Sequence, residues 1–260
     1  MNRFDFRSKR IWLAVGLIGV IVISGIAVYY LNPKPLANVR VSIFYDNGVQ
    51  IQSKIAAEHM FEWMGAQVTT INKTDLLNGV LESTDLLLMP GGLWTDERCT
   101  IVGENEMNLV RQYVLSGGAY FGIEGGATYA TNFRTGLFDG ELYPDVFGAG
   151  YYLTEIDINR ESLGPDLAGE PETYSLLYEQ SGYFDIAGMS EIIPIASYHN
   201  TSYYCMIAFQ ANDGRVFLTS PHPEYEEGSM VDGTDYFDRL NDPDSEWQFM
   251  LKIAQWLLNL

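Results

Sequence analysis

The sequence predicts an α/β domain: a mainly parallel sheet covered on both faces by helices, with an added antiparallel β layer, preceded by one membrane-spanning helix. Three observations carry this expectation. Short apolar runs alternate with helical stretches through the first half of residues 39–260. The second half changes to β-rich runs joined by hairpin signals. Residues 11–31 form an unbroken apolar segment long enough to cross a bilayer.

That segment, IWLAVGLIGVIVISGIAVYYL, holds no charge and no proline, and Ser24 is its one aliphatic hydroxyl. Roughly 20 helical residues span a hydrocarbon core about 30 Å thick. Trp12 stands near one end and Tyr29 and Tyr30 at the other, where aromatic belts form. A cleaved signal peptide has a shorter apolar stretch, about 7 to 15 residues, and a small-residue cleavage site, so an uncleaved anchor is the expectation. Arg3, Arg7, Lys9 and Arg10 precede the span against a single acid, Asp5. The positive-inside rule then places residues 1–10 in the cytoplasm and the C-terminal domain outside the cell membrane. Residues 32–38 make a short proline-stiffened linker, and the domain occupies residues 39–260.

Within the domain, residues 39–45 (VRVSIFY) read as a strand ending at the turn Asp46-Asn47-Gly48. Residues 53–64 have helical spacing, with Ile55, Ala56, His59, Met60 and Trp63 on the apolar side, and Gly65 ends the helix. His59 is expected to be a packed core histidine, and His199 a solvated loop residue. Residues 67–71 and 85–89 are the next strands, the latter stopping at Pro90-Gly91-Gly92. Residues 104–115 form a helix closed by Gly117-Gly118, and residues 119–123 a fourth strand that runs straight into Gly125-Gly126-Ala127 and a short helix. Residues 151–158, 192–198, 203–210 and 215–219 read as strands, the last two joined by Asn212-Asp213-Gly214. Residues 244–258 close the chain as an amphipathic helix. In parallel sheets of this kind ligands bind beyond the carboxyl ends of the strands, so the turns at Asp46-Asn47-Gly48, Pro90-Gly91-Gly92 and Glu124-Gly125 are expected to face one crevice.

The chain carries a formal charge of −19 although its first ten residues are net positive, so the domain is more acidic still. Such a surface repels phosphates, and nucleic acid is not an expected partner. Cys99 and Cys205 are the two cysteines. They are either a pair, as an exported domain allows, or two buried thiols.

Two segments carry chemistry. In Gly122-Ile123-Glu124-Gly125-Gly126 a strand delivers one functional residue into a sharp turn, and glycines let the neighbouring backbone pass closely. In Pro221-His222-Pro223-Glu224, at the end of the last strand, a carboxylate two residues from a histidine can orient the imidazole over that turn. Together with Pro90-Gly91-Gly92 and Tyr183-Phe184, these motifs resemble the class I glutamine amidotransferase-like superfamily, in particular its biotin–protein-ligase N-terminal-type branch. The resemblance implies a flavodoxin-like three-layer fold. It implies His222 as general base, Glu224 as the acid that orients it, and the amides of Gly91, Gly92 and Gly125 as an oxyanion hole. In that superfamily the turn residue is a cysteine, in the pattern Gly-Ile-Cys-x-Gly; here it is Glu124.

A carboxylate cannot form the thioester that glutamine hydrolysis requires, so neither amidotransferase activity nor biotin transfer is expected. Three readings of Glu124, His222 and Glu224 remain. They form a degenerate, silent site held by an ion pair between Glu124 and His222. They form a ligand pocket, with Asp46, Asn47, Gly91, Gly92 and Gly125, for a small polar molecule or peptide end. Or Glu124 and His222 act as an acid/base pair, or as metal ligands, in a hydrolase-like enzyme. The spacing is not a metal signature, and the acidic run Glu224, Glu226, Glu227, Asp232 and Asp235 lacks EF-hand spacing, so it reads as a solvated loop. No metal and no cofactor is expected.

Overall fold

The computed structural model describes residues 34–92, 103–242 and 244–260. The apolar segment 11–31, its basic flank and Cys99 lie outside the described residues. Among the described residues, no helix is long and apolar enough to cross a membrane.

The described strands join one sheet. The strands are β1 (Arg40–Phe44), β2 (Gln67–Ile71), β3 (Leu86–Met89), β4 (Ala119–Ile123), β5 (Leu142–Tyr143), β6 (Tyr151–Ile158), β7 (Thr173–Glu179), β8 (Tyr183–Phe184), β9 (Ile193–Tyr198), β10 (Tyr204–Ala211) and β11 (Gly214–Thr219). Their order is β2-β1-β3-β4-β11-β10-β9-β6-β7, with β8 pairing β10 and β5 pairing β8. The first five positions are parallel. With β11 as fifth strand they follow the doubly wound order of flavodoxin-like folds. The remaining pairs are antiparallel. The expectation of a separate antiparallel layer is therefore corrected: β10 turns back at Asn212-Asp213 into β11, and the antiparallel strands prolong the same sheet. A two-residue turn keeps neighbouring strands in one plane of hydrogen bonding, which leaves no slack to start a second layer.

Helices α1 (Ile51–Met64), α2 (Lys73–Leu77), α3 (Glu104–Leu115), α4 (Gly125–Ala130) and α5 (Trp247–Leu257) cover the faces. The central strands β3 and β4 are buried along their whole length, which is why they are continuous apolar runs. In β3, Leu86 and Leu88 join a core formed with α1 and α5, whereas Leu87 and Met89 join the core beneath α2, α3 and α4. Phe121 on β4 is the centre of the first core, its ring 5.7 Å from Phe61 and 4.8 Å from Phe217.

Helix α1 ends at Gly65, whose φ of 95° is the left-handed conformation a helix stop requires. Its buried face matches the expected one at Ala56 and Met60 but not at Ile55, His59 and Trp63. Ser53, Ala56, Ala57, Met60, Phe61 and Met64 point inward, while His59 and Trp63 are exposed. The helix is turned so that small residues Ser53, Ala56 and Ala57 permit close approach to the sheet, and His59 is not a core histidine. The short strands β5 and β8 and the seven-residue β7 went unassigned from sequence. Two-residue strands have no periodicity to read, and β7 sits at the sheet edge in a polar stretch.

Removing the ring at the centre of the first core leaves a cavity between two layers that cannot collapse onto it. Phe121→Ala should cost about 3–5 kcal/mol, read as a lowered urea midpoint with an unchanged m-value.

Candidate functional site at the end of β4 and β11

The site is built by the turn between β4 and α4. Gly122 and Gly126 are glycine for a steric reason. A Cβ at position 126 would lie 1.9 Å from the Met89 carbonyl oxygen, and one at position 122 would lie 2.8 Å from the Gly126 oxygen. Helix α4 therefore starts pressed against the end of β3, and the chain between is forced round Glu124 at φ 47°, ψ −105°. A side-chain-bearing residue pays on the order of 1–3 kcal/mol to stand there. This is the elbow expected from the sequence.

The Glu124 carboxylate is partly buried, and its Oε2 accepts the N–H of Gly92 at 2.8 Å. Gly92 has φ 153°, and a Cβ there would meet the Gly48 oxygen at 2.3 Å, because β3's exit is pinned to the segment after β1 by a bridge with Val49. Burial raises the Glu124 pKa. The charge of His222 and the amides of Gly92 and Gly125 pull against that rise.

His222 lies just past β11, fixed by its N–H to the Leu177 carbonyl on β7. Its Nδ1 is 2.9 Å from Glu224 Oε1, and both side chains are wholly buried. The same oxygen of Glu224 accepts the Ser53 hydroxyl at 2.6 Å, and Ser53 Oγ in turn accepts the Gly91 N–H at 2.9 Å. A relay thus runs from the β3 exit through α1 to the histidine. The His222 Nε2 has no hydrogen-bond partner among the described residues and lies 3.7 Å from Glu179 Oε2. Glu179 is itself held by Tyr236, at 3.1 and 3.2 Å, and more weakly by Gln50. Burial alone would lower the histidine's pKa, but Glu224, Glu179 and Glu124 together raise it to about 9.

The structure thus brings together Glu124, His222, Glu224, Gly91, Gly92 and Gly125. The expected ion pair between Glu124 and His222 is replaced: the partners of His222 within 4 Å are Glu224 and Glu179, and Glu124 acts on it only as a more distant charge. Asp46 and Asn47 stand apart. They line a separate groove of about 500 Å³ with Tyr45, Gly48, Val49, Asn72 and Thr74, and Asp46 accepts the Lys73 N–H at the start of α2. A cavity of about 690 Å³ opens at the opposite edge of the sheet, where β1, β3 and β4 begin, and touches none of these residues. Ser53, Gln50, Glu179 and Tyr236 were missed from sequence. Ser53 carried a signal in its place on the small-residue face of α1; Glu179 required recognition of β7.

Elsewhere, His199 is exposed as expected, with Nδ1 2.6 Å from Asp157 Oδ1. Cys205 is a free thiol buried in β10. Tyr183 packs between Tyr143 and Tyr203 and Tyr152 against Tyr178, so these aromatics serve packing.

No family model matches the sequence, and no curated protein matches it. Solved structures do resemble it in fold. A glutamine amidotransferase from Thermotoga maritima superposes with a TM-score of 0.57 at 15% identity, over 85% of this chain and 89% of that one. A putative GMP synthase component from Thermoplasma acidophilum gives 0.56 at 15% identity, over 83% and 92%. A putative ThuA-like protein from Bacteroides uniformis gives 0.56 at 14%, over 77% and 90%. The described residues therefore have the glutamine amidotransferase-like fold, a mixed α/β sheet with a mostly parallel core.

Proposed function

We propose that the chain is an exported, membrane-tethered amidotransferase-like domain that has lost thiol chemistry and serves as a binding module. The observation that carries this is the hydrogen bond from Gly92 N–H to Glu124 Oε2. By the resemblance, that amide would steady the oxyanion of an acyl intermediate. Here it is taken by the very side chain that stands in the nucleophile's place. A fixed carboxylate repels a developing oxyanion and is a poor nucleophile toward amides. His222 supports the same reading: with a pKa of about 9 it is an imidazolium at neutral pH and has no lone pair to offer as a base.

The ligand class follows from charge. Glu124, Glu179 and Glu224 surround one imidazolium, which favours a small polar molecule or peptide end presenting an amino group. The order of motifs from Pro90-Gly91-Gly92 to Pro221-His222-Pro223-Glu224 supports placement in the biotin–protein-ligase N-terminal-type branch. The tether rests on the apolar segment 11–31 and its basic flank, which put the N-terminus in the cytoplasm and the domain outside. A second reading, a hydrolase-like enzyme with Glu124 as proton donor, is favoured by the upward shift of its pKa.

Three measurements test these readings. Glu124→Cys should give a thiol that alkylates much faster at neutral pH than an ordinary cysteine, because the elbow and His222 stay in place; a sluggish thiol would sink the elbow assignment. On a panel of ester, amide and glycoside substrates the wild type should be as inert as Glu124→Gln and His222→Ala. Turnover abolished by both substitutions would instead establish the hydrolase. Third, the folded pKa of His222 lies above its ordinary 6.5, so its contribution is complete below that value and lost as pH rises through about 9. Thermal stability should decline across that window by on the order of 3 kcal/mol, and His222→Gln should flatten the decline.

A further inference from the structure

A second group of carboxylates, unused by the site at His222, converges where the loop after β11 meets the closing helix. Asp242 and Asp244 lie on the approach to α5, and Glu246 is its N-cap residue. One ligand oxygen from each lies within 4.8 Å of the others. Glu227 lies beside this group of three on the preceding loop, where its backbone carbonyl accepts the Asp242 N–H at 2.8 Å. The acidic run after β11 is thus not a solvated loop throughout: Glu224, Glu227 and Asp232 are buried and Glu226 is half-buried, and Asp235 alone of the run is exposed.

What sets this cluster apart is the state of its oxygens. Both carboxylate oxygens of Glu227, Glu246 Oε1, Asp242 Oδ2 and Asp244 Oδ1 are out of water and accept no hydrogen bond from any described residue. Buried acceptors are normally matched by donors. The neighbouring acids follow that norm: Glu226 accepts the Ser245 hydroxyl, and Asp232 accepts the amides of Glu226 and Thr234. No described cation neutralises the four. Lys252, on α5, is paired with Glu170. Shared protons would ease the charge but still leave acceptor oxygens without donors. A cation answers both needs.

We propose that Asp242, Asp244 and Glu246, with Glu227 beside them, form a binding site for a hard divalent cation, calcium above all. The donor set is all oxygen, which selects against zinc and copper. Calcium takes six to eight oxygens in adaptable geometry, so three carboxylates, some of them bidentate, and water satisfy it. Magnesium demands a stricter octahedron than this irregular loop offers. The ion ties the loop after β11 to α5. Because the Trp247 indole N–H donates to the Glu224 carbonyl at 3.1 Å, the clamp also steadies the relay behind His222.

The test uses the full-length chain stripped with chelator. Calcium, titrated through the roughly 10⁻⁴–10⁻³ M range of extracellular modules, should raise the melting temperature saturably, and magnesium should do so less. Terbium should show emission sensitised by Trp247, displaced by calcium. Glu246→Gln and Asp242→Asn should each lose the calcium shift and the terbium signal. Their metal-free melting temperatures should equal or exceed that of the metal-free wild type, since one buried charge is gone. A wild type whose melting temperature ignores calcium and which gives no terbium emission would overturn the proposal. An undiminished calcium response in both variants would do the same, by locating the ion elsewhere.

Discussion

The arrangement of this molecule depends on one close approach, that of the start of α4 to the end of β3. With no room for a Cβ at Gly126, the backbone can turn from strand to helix within a single residue, and Glu124 is held at a positive φ. From that position its carboxylate meets the Gly92 amide, and Gly92 is itself held against the chain that leaves β1. Gly91, one residue earlier, donates to Ser53, which positions Glu224 and through it His222. A steric fact about one glycine is thereby transmitted into the geometry of every group at the site.

At the site a carboxylate stands at the turn between β4 and α4, its oxygen accepting the Gly92 amide, with a buried histidine nearby. The acids around His222 raise its pKa against the pull of burial. Geometry alone is a weak guide to activity, because charge already held by a set of donors bears on whether further charge can develop there.

Much of the parallel half was legible in the sequence, because fully buried strands are continuous apolar runs and glycines mark their ends. β1 to β4 and the three long helices fall within a few residues of expectation. Glu124, His222 and Glu224 were legible because each ends a strand or follows one closely. Ser53, Glu179 and Tyr236 were not, since they reach the site by tertiary packing from a helix face, an edge strand and a loop. The facing of α1 was misread because Trp63 and Ile55 look like core residues by type. The buried face is instead centred on Ala57, Met60, Phe61 and Met64, with Ser53 and Ala56 beside them. Burial of the acids after β11 was likewise hidden, as charge in a loop normally signifies solvent.

The position of β1 in the sheet has a mechanical consequence. The described chain enters the domain through this strand, which is not an edge: β2 flanks it on one side and β3 on the other, both parallel to it. A pull on the N-terminal segment therefore loads two hydrogen-bond ladders in shear along their length, instead of peeling one strand from a margin bond by bond. A domain tethered through this end would take tension along two ladders at once, with the elbow at the end of β4 two strands away from the line of force.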